Sequence, residues 1–197
     1  MASTTRLPVT VVTGFLGAGK TTVLRQLLRQ SGQRLAVLVN EFGEVGIDGQ
    51  LLKSCQVCDE DPSASSPTIV ELANGCLCCT VQDDFLPTME AVLEQADQLD
   101  GIVIETSGLA LPEPLLKAFQ WPEIRHRTRV SGVVTVVDGE ALARGEVVAD
   151  LTLLEQQRAD DPSLDHDDSI DELFDEQLEQ ADLVLISRAD RLSGEQQ

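Results

Sequence analysis

Unbroken apolar runs and stretches with helical spacing alternate along this chain. Val9, Val11 and Val12 form a β-branched run that breaks at Thr13-Gly14, the pattern of a strand buried on both faces. Val23, Leu24, Leu27 and Leu28 then recur three and four apart and predict a helix. Leu35 to Val39 is wholly apolar again, so strand, helix and strand form a βαβ unit. From Glu44 to Pro67 the chain is rich in Gly, Asp, Ser and Pro, with Leu51-Leu52 as the apolar anchor, and loops are predicted. Thr68 to Leu72 predicts a short strand, and Phe85 to Leu99 a helix closed by Asp100-Gly101. Ile102 to Ile104 is a further buried strand. Pro112 and Pro114 suit the first turn of a helix carrying Leu115, Leu116 and Phe119. Val130 to Val137 predicts a strand stopped at Asp138-Gly139, Ile170 to Gln180 a helix, and Leu183 to Ile186 a last strand. The alternation predicts an α/β fold with a mostly parallel central sheet flanked by helices.

Residues 1–197 are expected to form one such domain. The last predicted strand lies about ten residues from the end, so a C-terminal part beyond this chain is expected. The core should be aliphatic, since 42% of residues are apolar but only 3% aromatic, with no Tyr. A formal net charge of −20 argues against nucleic acid and anionic membranes as partners, because both would repel the protein. The acid is concentrated between Glu140 and Asp182, where Arg144 and Arg158 are the only basic counterweights, and a polar insertion or solvated face is expected there. The chain shows neither a membrane-length apolar run nor a signal peptide, and the expected location is the cytoplasm. In a reducing compartment its five cysteines suit metal or redox chemistry better than disulfides.

The junction of the first strand and helix carries the most specific signal. Gly14, four residues, then Gly19-Lys20-Thr21 fits the P-loop pattern, and it falls where a strand ends and a helix begins. Gly14, Gly17, Ala18, Gly19, Lys20, Thr21 and Thr22 are the candidate nucleotide-binding residues. Backbone N–H groups and the positive end of the helix dipole would face the phosphates there. Lys20 would reach the β- and γ-phosphates, and the Thr21 hydroxyl would ligate Mg2+.

A P-loop needs an acidic partner for that cation at the end of a neighbouring strand. Glu105 fills this place, either assisting the attacking water or completing the metal shell; capping of the next helix is the plainer alternative. Gly108 is a candidate donor to the γ-phosphate, and Glu41, after the second strand, a further candidate Mg2+ ligand. Cys76-x-Cys78-Cys79 places three soft ligands in four residues and suits Zn2+ or Co2+. Small core residues or a thiol redox switch are the alternatives. Cys55 and Cys58 form a C-x-x-C pair, and with His166 they are candidate accessory ligands, whereas His126 is expected to be solvated. Ser187, Arg188 and Asp190, after the last strand, occupy the place of a base-reading segment. A carboxylate at 190 can accept two hydrogen bonds from guanine, which favours GTP.

With these residues in view, the chain resembles the CobW-type metallochaperone P-loop GTPases, the family of CobW, UreG and HypB. The resemblance rests on Thr13-Gly-Phe-Leu-Gly-Ala-Gly-Lys-Thr-Thr22, Val39-Asn-Glu-Phe-Gly43, Glu71-Leu-Ala-Asn-Gly-Cys-Leu-Cys-Cys-Thr80, Glu105-Thr-Ser-Gly108 and Pro162-Ser-Leu-Asp-His166. It implies GTP hydrolysis coupled to holding a metal and handing it over. In the CobW case that metal is Co2+ and the recipient is the cobaltochelatase of cobalamin biosynthesis, through a CobN-type subunit. A zinc allocator of the same family and a non-catalytic thiol metal-binding protein are the alternatives. Another metal-accepting protein is the alternative recipient, and a nucleotide-dependent dimer is among the expected assemblies. Two departures from the family stand out. Its Asn-Lys-x-Asp is here Ser187-Arg-Ala-Asp190, which keeps the carboxylate but changes the residues that buttress the loop and cover the base. The family's C-terminal domain also lies outside this chain.

Overall fold

The structure is a computed structural model, and it describes residues 6–39, 68–71, 85–160 and 169–194. Six strands form one sheet: β1 (Leu7–Thr13), β2 (Leu35–Val39), β3 (Thr68–Glu71), β4 (Gly101–Glu105), β5 (Thr128–Asp138) and β6 (Leu183–Ser187). Their order across the sheet is β3-β2-β4-β1-β5-β6, and every pairing is parallel. The helices are α1 (Lys20–Ser31), α2 (Leu86–Glu94), α3 (Pro112–Ala118), α4 (Pro122–Arg125), α5 (Gly139–Ala143), α6 (Leu151–Asp160) and α7 (Ile170–Glu179).

The central strands are largely apolar because helices cover both faces of the sheet, and β2 and β4 are buried at every position. Period-two alternation then sorts their side chains. Val9, Val11, Ala36, Leu38, Ile102 and Ile104 join the cluster that holds Phe85, Met89, Leu93, Leu115 and Phe119 from α2, α3 and their flanks. Val12, Leu35, Val37, Val39 and Val103 point the other way, onto Leu24 and Ala18. Leu24 is fully buried at the middle of this second contact, so its truncation to Ala would cost about 2–5 kcal/mol. Among the described residues, three of the five aromatics lie on the first face, where Phe85 meets Phe119 edge-on at 5.6 Å and Trp121 at 6.3 Å.

Several boundaries differ from the sequence expectation. The helix expected over Phe85 to Leu99 ends at Glu94 and is followed by a 3-10 turn, Ala96–Gln98. Asp100 and Gly101 do more than close that helix. Asp100 binds Arg34 and Gly101 opens β4, where a Cβ would stand 3.2 Å from Leu35. The acidic segment is not merely solvated. It contains α6 and α7, and it sends Val148, Leu154 and Leu173 into a small third core with Phe15 and Leu109. α7 is started by a reciprocal cap, in which Glu172 N–H donates to Ser169 Oγ and Ser169 N–H donates to Glu172. Among the described residues, no helix is long and apolar enough to cross a membrane.

Candidate nucleotide and metal site

All strands run the same way, so the carboxyl ends of β1, β4, β5 and β6 lie along one edge of the sheet. The registers Val12↔Glu105, Thr13↔Thr135 and Asp138↔Ser187 bring the sequence candidates there together. Between β1 and α1 the backbone turns through Gly14, Gly17 and Gly19, with φ of 132°, 78° and 99°. Side-chain-bearing residues rarely adopt such values. At Gly14 space forbids a side chain as well, since a Cβ would lie 2.1 Å from the Val136 carbonyl oxygen. Lys20 is buried within this loop and its Nζ donates to the carbonyls of Gly14 (2.8 Å) and Phe15 (3.2 Å). The first turn of α1 carries no acidic residue, so the positive end of its dipole remains suited to an anion.

Glu105 closes β4 and is buried. The Thr21 hydroxyl donates to its Oε1 at 2.8 Å. These are hard oxygen donors, one neutral and one anionic, and the set fits Mg2+ better than a soft metal. Helix α3 begins only at Pro112, with no side-chain cap, so Glu105 does not cap it. The chain beyond Glu105 is tied back to β1: Thr106 N–H donates to the Val12 carbonyl (2.9 Å) and Thr106 Oγ1 to Thr13 Oγ1 (3.0 Å). Gly108 then presses on the glycine loop so closely that a Cβ would stand 2.5 Å from Leu16 N.

On the other side of the loop, the Ser187 hydroxyl donates to the Val137 carbonyl (3.2 Å), and its side chain lies beside Gly19. Arg188 has a left-handed backbone, φ 54°, and reaches three places, one of them Glu140 Oε2, 3.7 Å from its Nε. Its Nη1 pairs with Asp138, while Nη2 donates to the Gly17 carbonyl at 2.9 Å. Asp138 is buried and also caps α5, accepting from Glu140 N–H and Ala141 N–H. Asp190 is exposed in the 3-10 turn Ala189–Arg191, and Thr22 is exposed on α1. His126 is exposed beside Arg125.

The remaining candidates, Glu41, Cys55, Cys58, Cys76, Cys78, Cys79 and His166, lie outside the described residues. Among the described residues, no cluster of three or more His, Cys, Asp or Glu could hold a metal. Two residues at the site were not singled out from sequence. Asp138 looked only like the end of a strand, although an Asp-Gly after an apolar run is also a helix-cap signal. For Gln177 the available signal is its spacing, seven residues after Ile170 and four after Leu173, which puts a polar residue on the apolar stripe of α7.

A parallel sheet with a glycine loop between strand and helix, a lysine inside the loop and a carboxylate at the end of the adjacent strand defines a P-loop nucleotide-binding protein. The family model described as "CobW/HypB/UreG, nucleotide-binding domain" matches residues 8–197, and the chain belongs to that family. It is 54% identical over 197 residues to a Pseudomonas aeruginosa protein named Zinc chaperone CobW, covering 99% of this chain and 52% of the relative. A protein of the same name from Sinorhizobium sp is 50% identical over 192 residues, covering 96% and 52%. Among solved structures, Zn(II)-bound YjiA GTPase from E. coli superposes with a TM-score of 0.57 at 26% identity, covering 98% of this chain and 52% of that one. The chain thus spans about half the length of these relatives.

Proposed function

We propose that this chain, residues 1–197, is the GTP-hydrolysing domain of a metallochaperone. The contact that carries the proposal is Thr21 Oγ1 to Glu105 Oε1, which sets a hydroxyl and a carboxylate side by side at the mouth of the glycine loop. In this reading Gly14, Gly17, Ala18, Gly19 and Thr22 cradle the phosphates, and Lys20 places its charge on them. Thr21 and Glu105, with Glu41, hold Mg2+, which supplies charge neutralisation at the phosphates. Glu105 also orients the attacking water, the Gly108 N–H meets the γ-phosphate, and Asp190 reads guanine with Ser187 and Arg188 beside it.

The cargo metal would be held as thiolate complex by Cys76, Cys78 and Cys79, with Cys55, Cys58 and His166 as accessory ligands. The relatives named zinc chaperones favour Zn2+ as that cargo. Delivery of Co2+ to a cobaltochelatase rests on the family resemblance alone. Either metal would pass to an acceptor protein in the cytoplasm. Affinity for Zn2+ and for Co2+ should be measured with Mg·GTP, with GDP and without nucleotide. Tighter metal binding with GTP, about 5- to 150-fold, is the expected outcome, with reciprocal tightening of GTP by metal. Identical metal affinity in all three states would leave only a passive thiol buffer. Replacing Cys78 and Cys79 by Ser should remove the coupling and spare GTP binding.

A further inference from the structure

We propose that Gln177 is a positioning residue, whose side-chain amide holds the Gly108–Ala110 turn where a nucleoside triphosphate is told from a diphosphate. The inference rests on the function proposed above. Gln177 has no exposed surface, although it lies on a helix rich in carboxylates. Its Nε2 faces two carbonyls of the segment after β4, Gly108 O at 3.4 Å and Ala110 O at 3.3 Å. Both neighbours are acceptors, so the amide nitrogen and not the oxygen must point at them. The backbone at 177 is held in turn, because the Thr135 hydroxyl donates to the Gln177 carbonyl at 2.8 Å. Thr135 is itself buried and pairs with Thr13, the last residue of β1. The chain of contacts therefore runs from the strand that carries the glycine loop, through α7, to the turn that contains Gly108.

Two further contacts make α7 the common support of both phosphate-facing loops. Phe174 stacks on Phe15 of the glycine loop, with centroids 6.0 Å apart and planes 14° apart. Leu109, between the two carbonyls that Gln177 contacts, packs with Leu173, Val148 and Leu154. Apolar contacts alone would dock this helix, and an apolar residue at 177 would add to them. Instead the position holds an amide whose Oε1 is buried with no partner among the described residues, an arrangement rare enough in native cores to require a reason. Anchoring of Gly108 supplies that reason. Gly108 abuts Leu16 N, so a shift of its turn toward the glycine loop must displace that loop too.

The test replaces Gln177 by Met, which keeps length and removes the donor. Affinities for fluorescent GDP and for a fluorescent non-hydrolysable GTP analogue are measured with Mg2+, for wild type and Q177M. Triphosphate affinity should fall about tenfold, the scale of one lost hydrogen-bonded constraint, while GDP affinity changes less than about twofold. Equal weakening of both nucleotides, or of neither, would show that Gln177 only supports the helix and would overturn the proposal. Wild type that binds neither nucleotide would instead refute the proposed function, and this inference with it. Hydrogen exchange on the wild type keeps the proposal testable should Q177M not fold. The GTP analogue should slow exchange in residues 106–111 and 174–179 together and GDP in neither. Protection of 106–111 without 174–179 would overturn the proposal.

Discussion

Thr21 Oγ1 and Glu105 Oε1 are 2.8 Å apart although 84 residues separate them in the chain. The contact exists because β1 and β4 are parallel neighbours, with Val12 opposite Glu105, and α1 starts one short loop after β1. It predicts a separation of stability from activity. Glu105→Gln keeps shape and an acceptor for Thr21 but removes a buried charge. Its melting temperature should equal or exceed that of wild type, because neutralising a buried carboxylate relieves desolvation. GTP turnover should fall about a hundredfold or more, on the scale of losing a carboxylate that positions and activates the attacking water. Turnover at the wild-type level would remove Glu105 from the reaction.

Lys20→Ala addresses the other side of the loop. The Lys20 ammonium sits within the loop on the carbonyls of Gly14 and Phe15, and it is the only cation that the motif directs at the phosphates. Triphosphate binding should weaken by at least about tenfold and hydrolysis should become undetectable. Titration calorimetry with a GTP analogue checks the first effect and a phosphate-release assay the second.

Gly108→Ala should fail for steric reasons. The new methyl would stand 2.5 Å from Leu16 N, so either the turn or the glycine loop must move. Overpacking of this kind costs about 1–3 kcal/mol. Denaturant unfolding should show a loss in that range, accompanied by weakened nucleotide binding. A variant as stable and as active as wild type would mean that the two loops are not in contact in solution.

Arg188→Ala would leave the buried Asp138 carboxylate without its ion-pair partner and would release the Gly17 carbonyl. Because Arg188 is one-third exposed, the expected loss of stability is about 1–3 kcal/mol, below the cost of breaking a fully buried pair. Arg188→Lys cannot reach Asp138, Glu140 and the Gly17 carbonyl together, since an ammonium lacks the guanidinium fork. It should recover part of the stability. Comparing GTP and ATP affinities in both variants then shows whether the Arg also bears on the choice of base.

At the opposite end of the sheet, the side-chain hydrogen bond from Arg34 lowers the Asp100 carboxyl from 3.8 to about 2. A carboxylate held below its unfolded value contributes stability that is present above about pH 4 and is lost as pH falls through about 2. The pair is exposed, so the contribution is small. Carboxyl NMR should find Asp100 still ionised at pH 3, and Arg34→Ala should raise its midpoint only part of the way to the ordinary carboxylate range, because the backbone N–H at 34 still donates to Asp100 Oδ2 at 2.9 Å.

The strand and helix pattern, the parallel sheet and the glycine loop were legible in the sequence because each follows from local rules. An unbroken apolar run as short as Leu35 to Val39, bounded by polar residues, reads as a strand covered on both faces, and Gly14-x-x-x-x-Gly19-Lys20 carries its own turn geometry. Tertiary structure decided what those rules cannot reach. Strand order turned the expected neighbourhood of Thr21 and Glu105 into a direct contact, and it brought Arg188 to Asp138 across a span of chain in which no local pattern marks the partner. The acidic stretch read as a solvated face because charge dominates its composition, yet Val148, Leu154 and Leu173 turn inward onto Phe15 and Leu109. Gln177 is the extreme case. Its spacing from Ile170, Leu173 and Phe174 puts it on the apolar stripe of α7, but only the docking of that helix against the turn at Gly108 gives its amide two carbonyls to hold.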